Sequence, residues 1–106
     1  MAEKIFTVSI SPVEAQLIVE NEISAELVYS EKYDLGNGKV LAISVFEKYF
    51  FRSSNRAALT VIFENLSGDT QVKAISTGSS QGLLLNIDYG AADSFANSVE
   101  KILKGH

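Results

Sequence analysis

Two short stretches of this sequence carry residues that could bind a small ligand. The first is Arg52-Ser53-Ser54-Asn55-Arg56, where both arginines of the chain flank one three-residue turn. Across a β-hairpin, two guanidinium groups could clamp an anion, and the amide of Asn55 could add a donor. A carboxylate of Glu47 or Glu64 could instead hold the arginines in ordinary salt bridges, because like charges opposite each other destabilise a sheet. The sequence leaves both interpretations open.

The second stretch is the loop Gly78-Ser79-Ser80-Gln81-Gly82, whose small residues would let the backbone approach a ligand. In that case Ser79, Ser80 and Gln81 would donate hydrogen bonds to a ligand at the end of the sheet. The loop lacks the glycine spacing and the lysine of phosphate-binding motifs, and it does not open directly into a helix. The other interpretation is a strand-exit loop whose glycines adopt positive φ angles.

Aromatic residues are concentrated on neighbouring predicted strands, at Phe46, Tyr49, Phe50, Phe51 and Phe63. Most of them are expected in the core. Alternatively, Tyr49 and Phe51 line an apolar pocket between the sheet and the helices, which is where small-molecule sites often lie. These two residues complete the set of candidate ligand-binding side chains.

The sequence contains few residues that could catalyse a reaction or bind a metal. There is no cysteine, and the single histidine is the terminal residue His106, so a cysteine nucleophile and a Ser-His-Asp arrangement are not expected. No metal-ligand spacing occurs, and we expect neither a metal nor another cofactor. Two of the thirteen acidic residues could still converge in space, which keeps a carboxylate-dependent enzyme as an alternative.

Composition indicates one globular domain spanning residues 1–106, with 46% apolar residues and a net charge of −4. The lysines are scattered singly and the chain has only two arginines, whereas nucleic-acid binders usually show a basic face, so no nucleic-acid partner is expected. Apolar runs are short, as at Leu83-Leu84-Leu85, and the N-terminus lacks the pattern of a secretory signal. These features predict a cytoplasmic protein without a membrane partner.

The first half of the chain shows clear start signals. Alternation over residues 4–10 predicts a strand, and Ser11-Pro12-Val13-Glu14 has the pattern of a capping box that opens a helix over residues 12–22. This helix has two apolar stripes, of which Val13 and Leu17 form the second. One stripe should pack on the sheet. The other is covered by loops or meets a partner, most simply a second copy of the chain.

Four further strands are predicted over residues 25–33, 39–52, 56–65 and 70–77, and Asn37-Gly38 is typical of a tight hairpin turn. The third of the five predicted strands, residues 39–52, is apolar on both faces in its first half, which predicts a central strand covered on both sides. Residues 83–88 are either a short strand or an irregular stretch. Residues 91–104 repeat with a helical period, which places Phe95, Ala96, Val99, Ile102 and Leu103 on one apolar side.

The resulting fold class is α+β. It is an antiparallel sheet of five to six strands with two helices packed on it, in the order β-α-β-β-β-β-(β)-α. More loosely, this order looks like a shortened helix-grip domain, a class that often holds apolar ligands.

Five segments spread over nearly the whole chain carry a further likeness. They are Phe6-Thr7-Val8-Ser9 with Ser11-Pro12-Val13-Glu14-Ala15, Phe46-Glu47-Lys48-Tyr49, Asn55-Arg56-Ala57-Ala58-Leu59-Thr60-Val61, the Gly78–Gly82 loop, and Asp93-Ser94-Phe95. Together they resemble a family of small bacterial proteins classed as a domain of unknown function. The resemblance implies a cytosolic bacterial protein and assigns no activity and no site residue.

For function, the sequence favours a non-catalytic binding or interaction module that forms a homodimer. This hypothesis rests on the missing catalytic groups, on the third strand, which is apolar on both faces, and on the first helix, which has two apolar stripes. The alternatives are a carrier of a small apolar ligand, of helix-grip-like type, and the carboxylate-dependent enzyme. The ligand itself would be small and either anionic or apolar.

Overall fold

The computed structural model describes residues 2–51, 54–78 and 85–106, and these residues form five strands and two helices. The bounds are β1 Ala2–Val8, α1 Pro12–Glu22, β2 Glu26–Gly36, β3 Lys39–Phe50, β4 Asn55–Glu64, β5 Thr70–Gly78 and α2 Leu85–Leu103. The strands form one sheet in the order β1-β5-β4-β3-β2, and every neighbouring pair is antiparallel. The predicted α+β class is confirmed.

Both strong local signals form as predicted. The Ser11 Oγ accepts a hydrogen bond from the Glu14 amide at 3.1 Å, and the Ser11 amide donates to Glu14 Oε1 at 3.3 Å. This capping box satisfies two amides that the start of a helix leaves without partners, so α1 begins at Pro12. At the hairpin between β2 and β3, Asn37 and Gly38 have φ angles of 55° and 78°, as a type I′ turn requires.

The path of the chain places both helices on one face of the sheet. Since β1 and β2 are the two edge strands, α1 carries the chain across the whole sheet between them. α2 follows β5 and packs against β5, β1 and α1. One apolar core unites the helices with that face, and its largest fully buried apolar side chains are Phe46, Phe63, Leu59, Leu103, Val19, Val61, Val72 and Val99.

Among the described residues, the prediction that the third strand is covered on both sides is wrong, because only one of its sides lies under other elements. In β3, Ala42, Ser44 and Phe46 are buried under the helices, whereas the alternate residues Leu41 and Ile43 are only partly buried. Both helices share one core and therefore lie on one face. None of the elements that the structure describes is left to cover the other face. Apolar residues on both sides of a strand predict that each side is shielded from water, but they do not show which element shields it.

The final helix begins earlier than its predicted start at residue 91. Residues 85–88, for which a short strand or an irregular stretch was considered, are the first turn of α2, and residues 83 and 84 lie outside the described part. Extending an existing helix adds one hydrogen bond for each further residue fixed, so the helix continues into these preceding residues. The predicted apolar side of this helix is confirmed, because Phe95, Ala96, Val99 and Leu103 are buried.

Candidate interaction surface

Only part of the predicted anion clamp lies among the described residues. Arg56, at the start of β4, places its Nη1 at 3.7 Å from Glu47 Oε1 on β3. This ion pair forms because the antiparallel register sets Ala58 opposite Glu47, next to Arg56 on the same face. Glu47 therefore supplies the counter-charge that the salt-bridge interpretation requires for Arg56.

The structure describes less of the other polar residues that were predicted to bind a ligand. Arg52, Ser79, Ser80 and Gln81 fall outside the described residues, so the clamp and the Gly-Ser loop site stay predictions. Asn55 is the first residue of β4, opposite Phe50 in the register, and only its backbone is described.

Tyr49 and Phe51 lie away from the helices. In β3 the even-numbered side chains face the helices and the odd-numbered ones face away, so Phe50 packs edge-to-face on Phe95 at 5.7 Å between ring centroids. Tyr49 and Phe51 instead contact each other at 6.1 Å and are 49% and 88% exposed. The structure thus places both rings outside the space between sheet and helices, and their role in ligand binding stays a prediction.

A small groove between α1 and α2, which the sequence did not indicate, lies near the end of β3. Its volume is about 270 Å³, and its walls include Ile23, Phe50, Phe95 and Ile102. Lys48 stands at the rim with its Nζ at 5.4 Å from the centroid of the Phe50 ring, a cation–π distance. Two lysines and one glutamate line the groove, so it is apolar inside and carries a net positive charge of one at its edge.

A wider and more open cleft of about 730 Å³ lies between the end of β1 and the C-terminal turn of α2. Asp69, Glu100, Lys104 and His106 contribute to its lining, so its charges are mixed. No group of three or more potential metal ligands occurs anywhere in the described ranges 2–51, 54–78 and 85–106. The cleft offers no arrangement to which we can assign a reaction.

The second face of the sheet, opposite the helices, is a further candidate surface. We call this the open sheet face; it consists of the odd-numbered residues of β1, β3 and β5, the even-numbered residues of β4, and Tyr29, Glu31 and Tyr33 of β2. Within the described part of the chain, nothing lies on it. Ile5 and Tyr29 are 50% and 46% exposed there.

The strand register arranges this face in rows that cross the sheet. One row contains Ile5, Lys73, Ile62, Ile43 and Glu31, from β1 to β2. The neighbouring row contains Glu3, Ile75, Thr60, Val45 and Tyr29. The middle of the first row is aliphatic, and in the second row Thr60 lies between two aliphatic residues; the charges lie towards the sides.

β2 is exposed along its whole length. All eleven of its residues are solvent-exposed, including Leu27, Val28, Tyr33 and Leu35. A sheet edge with exposed apolar side chains is a place where another chain can attach. The exposure of this strand extends the open sheet face to the very edge of the sheet.

Hydrogen bonds rather than apolar packing hold β2 to α1. The buried Gln16 places its Nε2 at 3.1 Å from Ser44 Oγ and at 3.3 Å from the Glu31 carbonyl oxygen. Glu20 Oε2 accepts from the hydroxyls of Ser44, at 2.6 Å, and Ser30, at 2.7 Å. We call Gln16, Glu20, Ser30 and Ser44 the polar latch.

Tyr29 and Tyr33 interact on the open sheet face. Their hydrogen bond, with a smaller contribution from the negative charge of Glu31, raises the pKa of Tyr29 above its usual 10.0. The Tyr29 hydroxyl is therefore neutral at physiological pH, so this part of the face carries an uncharged polar group beside its apolar centre.

Comparison with known proteins adds a family and nothing more specific. No curated protein and no solved structure matches the chain. No helix in the described ranges has both the length and the apolar character to span a membrane. The sequence pattern described as "Family of unknown function (DUF6054)" matches residues 3–106, nearly the whole chain. The chain therefore belongs to this family of unknown function.

Proposed function

We propose that the protein is a non-catalytic interaction module that forms a homodimer through its open sheet face. The observation that supports this most directly is an apolar centre on that face with no described element over it. Soluble monomers rarely expose contiguous apolar patches larger than a few hundred Å². A second copy of the chain is the simplest cover, since the same face is present on both copies.

The dimensions of the face suit a dimer. Five strands about 4.8 Å apart and four rows about 6.8 Å apart, with their side chains, cover a plane of roughly 600 Å². The accessible surface of such a corrugated layer is larger than its plane, which brings it near the ~800 Å² that each partner buries in a standard interface. The acidic residues Glu3, Glu26 and Glu64 lie on its periphery and would form a polar rim.

The non-catalytic part of the proposal rests on composition. Without cysteine, and with its one histidine at the chain end, the sequence has few groups that activate a nucleophile or transfer protons near neutral pH. A cytoplasmic bacterial setting is part of the same proposal; the absence of cysteine suits a reducing compartment and supports its cytoplasmic part.

The test measures molar mass by light scattering after size-exclusion chromatography over a series of protein concentrations. We expect a dimer for the unaltered chain and a monomer for Ile43→Lys, because the substitution places a charge in the centre of the interface. Leu17→Lys is the matched control, since Leu17 is 48% exposed on the outer stripe of α1. Circular dichroism confirms that both variants fold.

Two results would overturn the proposal. One is an unaltered chain that stays monomeric at high concentration. The other is a dimer that Leu17→Lys disrupts and Ile43→Lys leaves intact, which would move the interface to the helix stripe.

A carrier of a small apolar ligand is the second candidate, and the groove between α1 and α2 favours it. Its volume of about 270 Å³ is just below the usual range of ligand pockets, roughly 300–1,000 Å³. The apolar walls and the rim lysine suit an apolar ligand with a negative end, such as an alkyl carboxylate. Calorimetric titration with octanoate would show saturable binding that Lys48→Gln weakens, and no binding would dismiss this role.

A further inference from the structure

We infer that two copies dock around a twofold axis that runs parallel to the strands, between β3 and β4, so that Lys73 of each chain pairs with Glu31 of the other. The inference rests on the proposed function and specifies how the open sheet face recognises a second copy. The row that contains Lys73, Ile62, Ile43 and Glu31 carries the argument.

Neither charge in this row has an ion-pair partner among the described residues. Lys73 and Glu31 lie on β5 and β2, with β4 and β3 between them. Three strand spacings separate them by about 14 Å, too far for an ion pair within one chain. Lys73 is also only partly exposed, since its register neighbours on both sides are isoleucines, Ile5 and Ile62. Its stem lies along apolar surface, and its ammonium group has to reach outwards.

The charges of this row are complementary to those of a second copy of the row that runs in the opposite direction. Read from β5 to β2 it has a cation, two isoleucines and an anion, so a twofold axis between the isoleucines sets each end over its opposite. Ile62 then lies over the partner's Ile43. The apolar side chains meet in the middle, and one ion pair forms on each side.

The distances permit this contact. Two sheets that pack face to face are about 10 Å apart, and side chains from both fill that space. Lys73 lies about 7 Å from the proposed axis, one and a half strand spacings. A crossing angle near −30° displaces the two charges by about 4 Å along the strands, which the long side chains of lysine and glutamate can span.

The neighbouring rows agree with the same axis. Ile75 comes to lie over the partner's Tyr29, and Thr60 over the partner's Val45, so the second row buries mainly apolar surface. On the other side, Gln71 meets the partner's Tyr33, an amide that can hydrogen-bond a phenol. In that same end row Glu64 lies over the partner's Leu41, and its carboxylate keeps the hydrogen bond that it accepts from the Leu66 amide.

Other axes leave both charges of the central row, Lys73 and Glu31, without opposite partners. An axis along β4 would set Lys73 over the partner's Ile43 and Glu31 over the partner's Ile5, with both charges against apolar groups. An axis across the strands through this row would set lysine over lysine and glutamate over glutamate. Both arrangements cost free energy, because a buried charge needs an opposite partner.

A charge-reversal experiment tests the axis. Lys73→Glu and Glu31→Lys, each alone, place two like-charged pairs in the dimer, and we expect each variant to raise the dimer Kd at least about tenfold. In an equimolar mixture of the two variants, residues 73 and 31 carry opposite charges again in both pairs of the heterodimer. The heterodimer should therefore form with nearly the original Kd. Light scattering and sedimentation velocity measure all three samples.

The control is Lys32→Glu, which makes the same charge change on β2 but on the side that faces the helices. It should leave the Kd within about twofold, and thermal melting confirms that every variant folds. If the unaltered chain dimerises and neither reversal weakens it, the axis is wrong while the proposed function stands. Two monomeric variants that fail to associate when mixed also overturn the axis. A monomeric unaltered chain overturns both proposals.

Discussion

The two faces of the same sheet are built from the same strands and carry different kinds of side chain. Under the helices, β3 presents Ala42, Ser44 and Phe46, two of which are small. On the open sheet face it presents Leu41, Ile43 and Val45, which are all large and aliphatic. α1 comes close enough for Gln16 to bond the β3 backbone, and this close approach requires small residues. The difference teaches that apolar volume alone does not identify the core of the monomer.

The largest expected effect lies on the covered face. Phe46→Ala removes a fully buried ring and should lower the free energy of unfolding by about 3–5 kcal/mol, because the surrounding core cannot close the cavity. Urea denaturation at a protein concentration that favours the monomer measures it. A loss below ~1 kcal/mol would show that Phe46 is not part of a tightly packed core.

The polar latch comes next. Gln16→Ala should lower the free energy of unfolding by about 1–3 kcal/mol, since the buried hydroxyl and carbonyl groups it contacts lose a donor. Leu17→Ala, the adjacent but exposed position, serves as the control and should change little. Equal losses in both variants would contradict the role assigned to the latch.

Adjacent positions of β4 compare the two faces directly. Val61 is fully buried under the helices, and Ile62 lies on the open sheet face. In the monomer, Val61→Ala should cost about 1–3 kcal/mol and Ile62→Ala less than ~1 kcal/mol. Ile62→Ala should, however, reduce the rise of Tm with protein concentration that a dimer shows. A larger loss of the monomer's free energy of unfolding for Ile62→Ala would mean that this face is already covered within one chain.

The smallest effect concerns Tyr29. Its pKa is raised chiefly by the hydrogen bond with Tyr33, so Tyr33→Phe should bring it back towards 10.0. The protonated phenol favours the folded state, and its small contribution is present below pH 10 and disappears as the pH rises through the higher folded-state pKa. NMR titration of the tyrosine ring signals follows it, with Tyr49→Phe as the control. An unchanged titration in Tyr33→Phe would exclude the hydrogen bond as the cause.

Local patterns predicted much of the fold because their physics is local. The bonds between Ser11 and Glu14 and the positive φ angles at Asn37 and Gly38 depend on neighbours in sequence, and they form as predicted. The strand bounds agree within a few residues, since alternation is visible without the partner strand.

Features that depend on distant residues were not predictable. Alternation in β3 defines two faces without showing which one the helices cover. The partner of Arg56 was narrowed to Glu47 or Glu64, and only the register between β3 and β4 selects Glu47. Glu20 and Ser44 are 24 positions apart, and no spacing rule indicates that they meet.

The exposure of β2 has a consequence for how the molecule opens. No residue of this strand is buried, so its detachment would leave the apolar core and the other four strands in place. Such a partial opening costs less free energy than complete unfolding, and amide hydrogens on β2 would exchange with solvent faster than those on β4. A dimer closed over Tyr29 and Tyr33 would slow that exchange, which links assembly to the lifetime of the weakest strand.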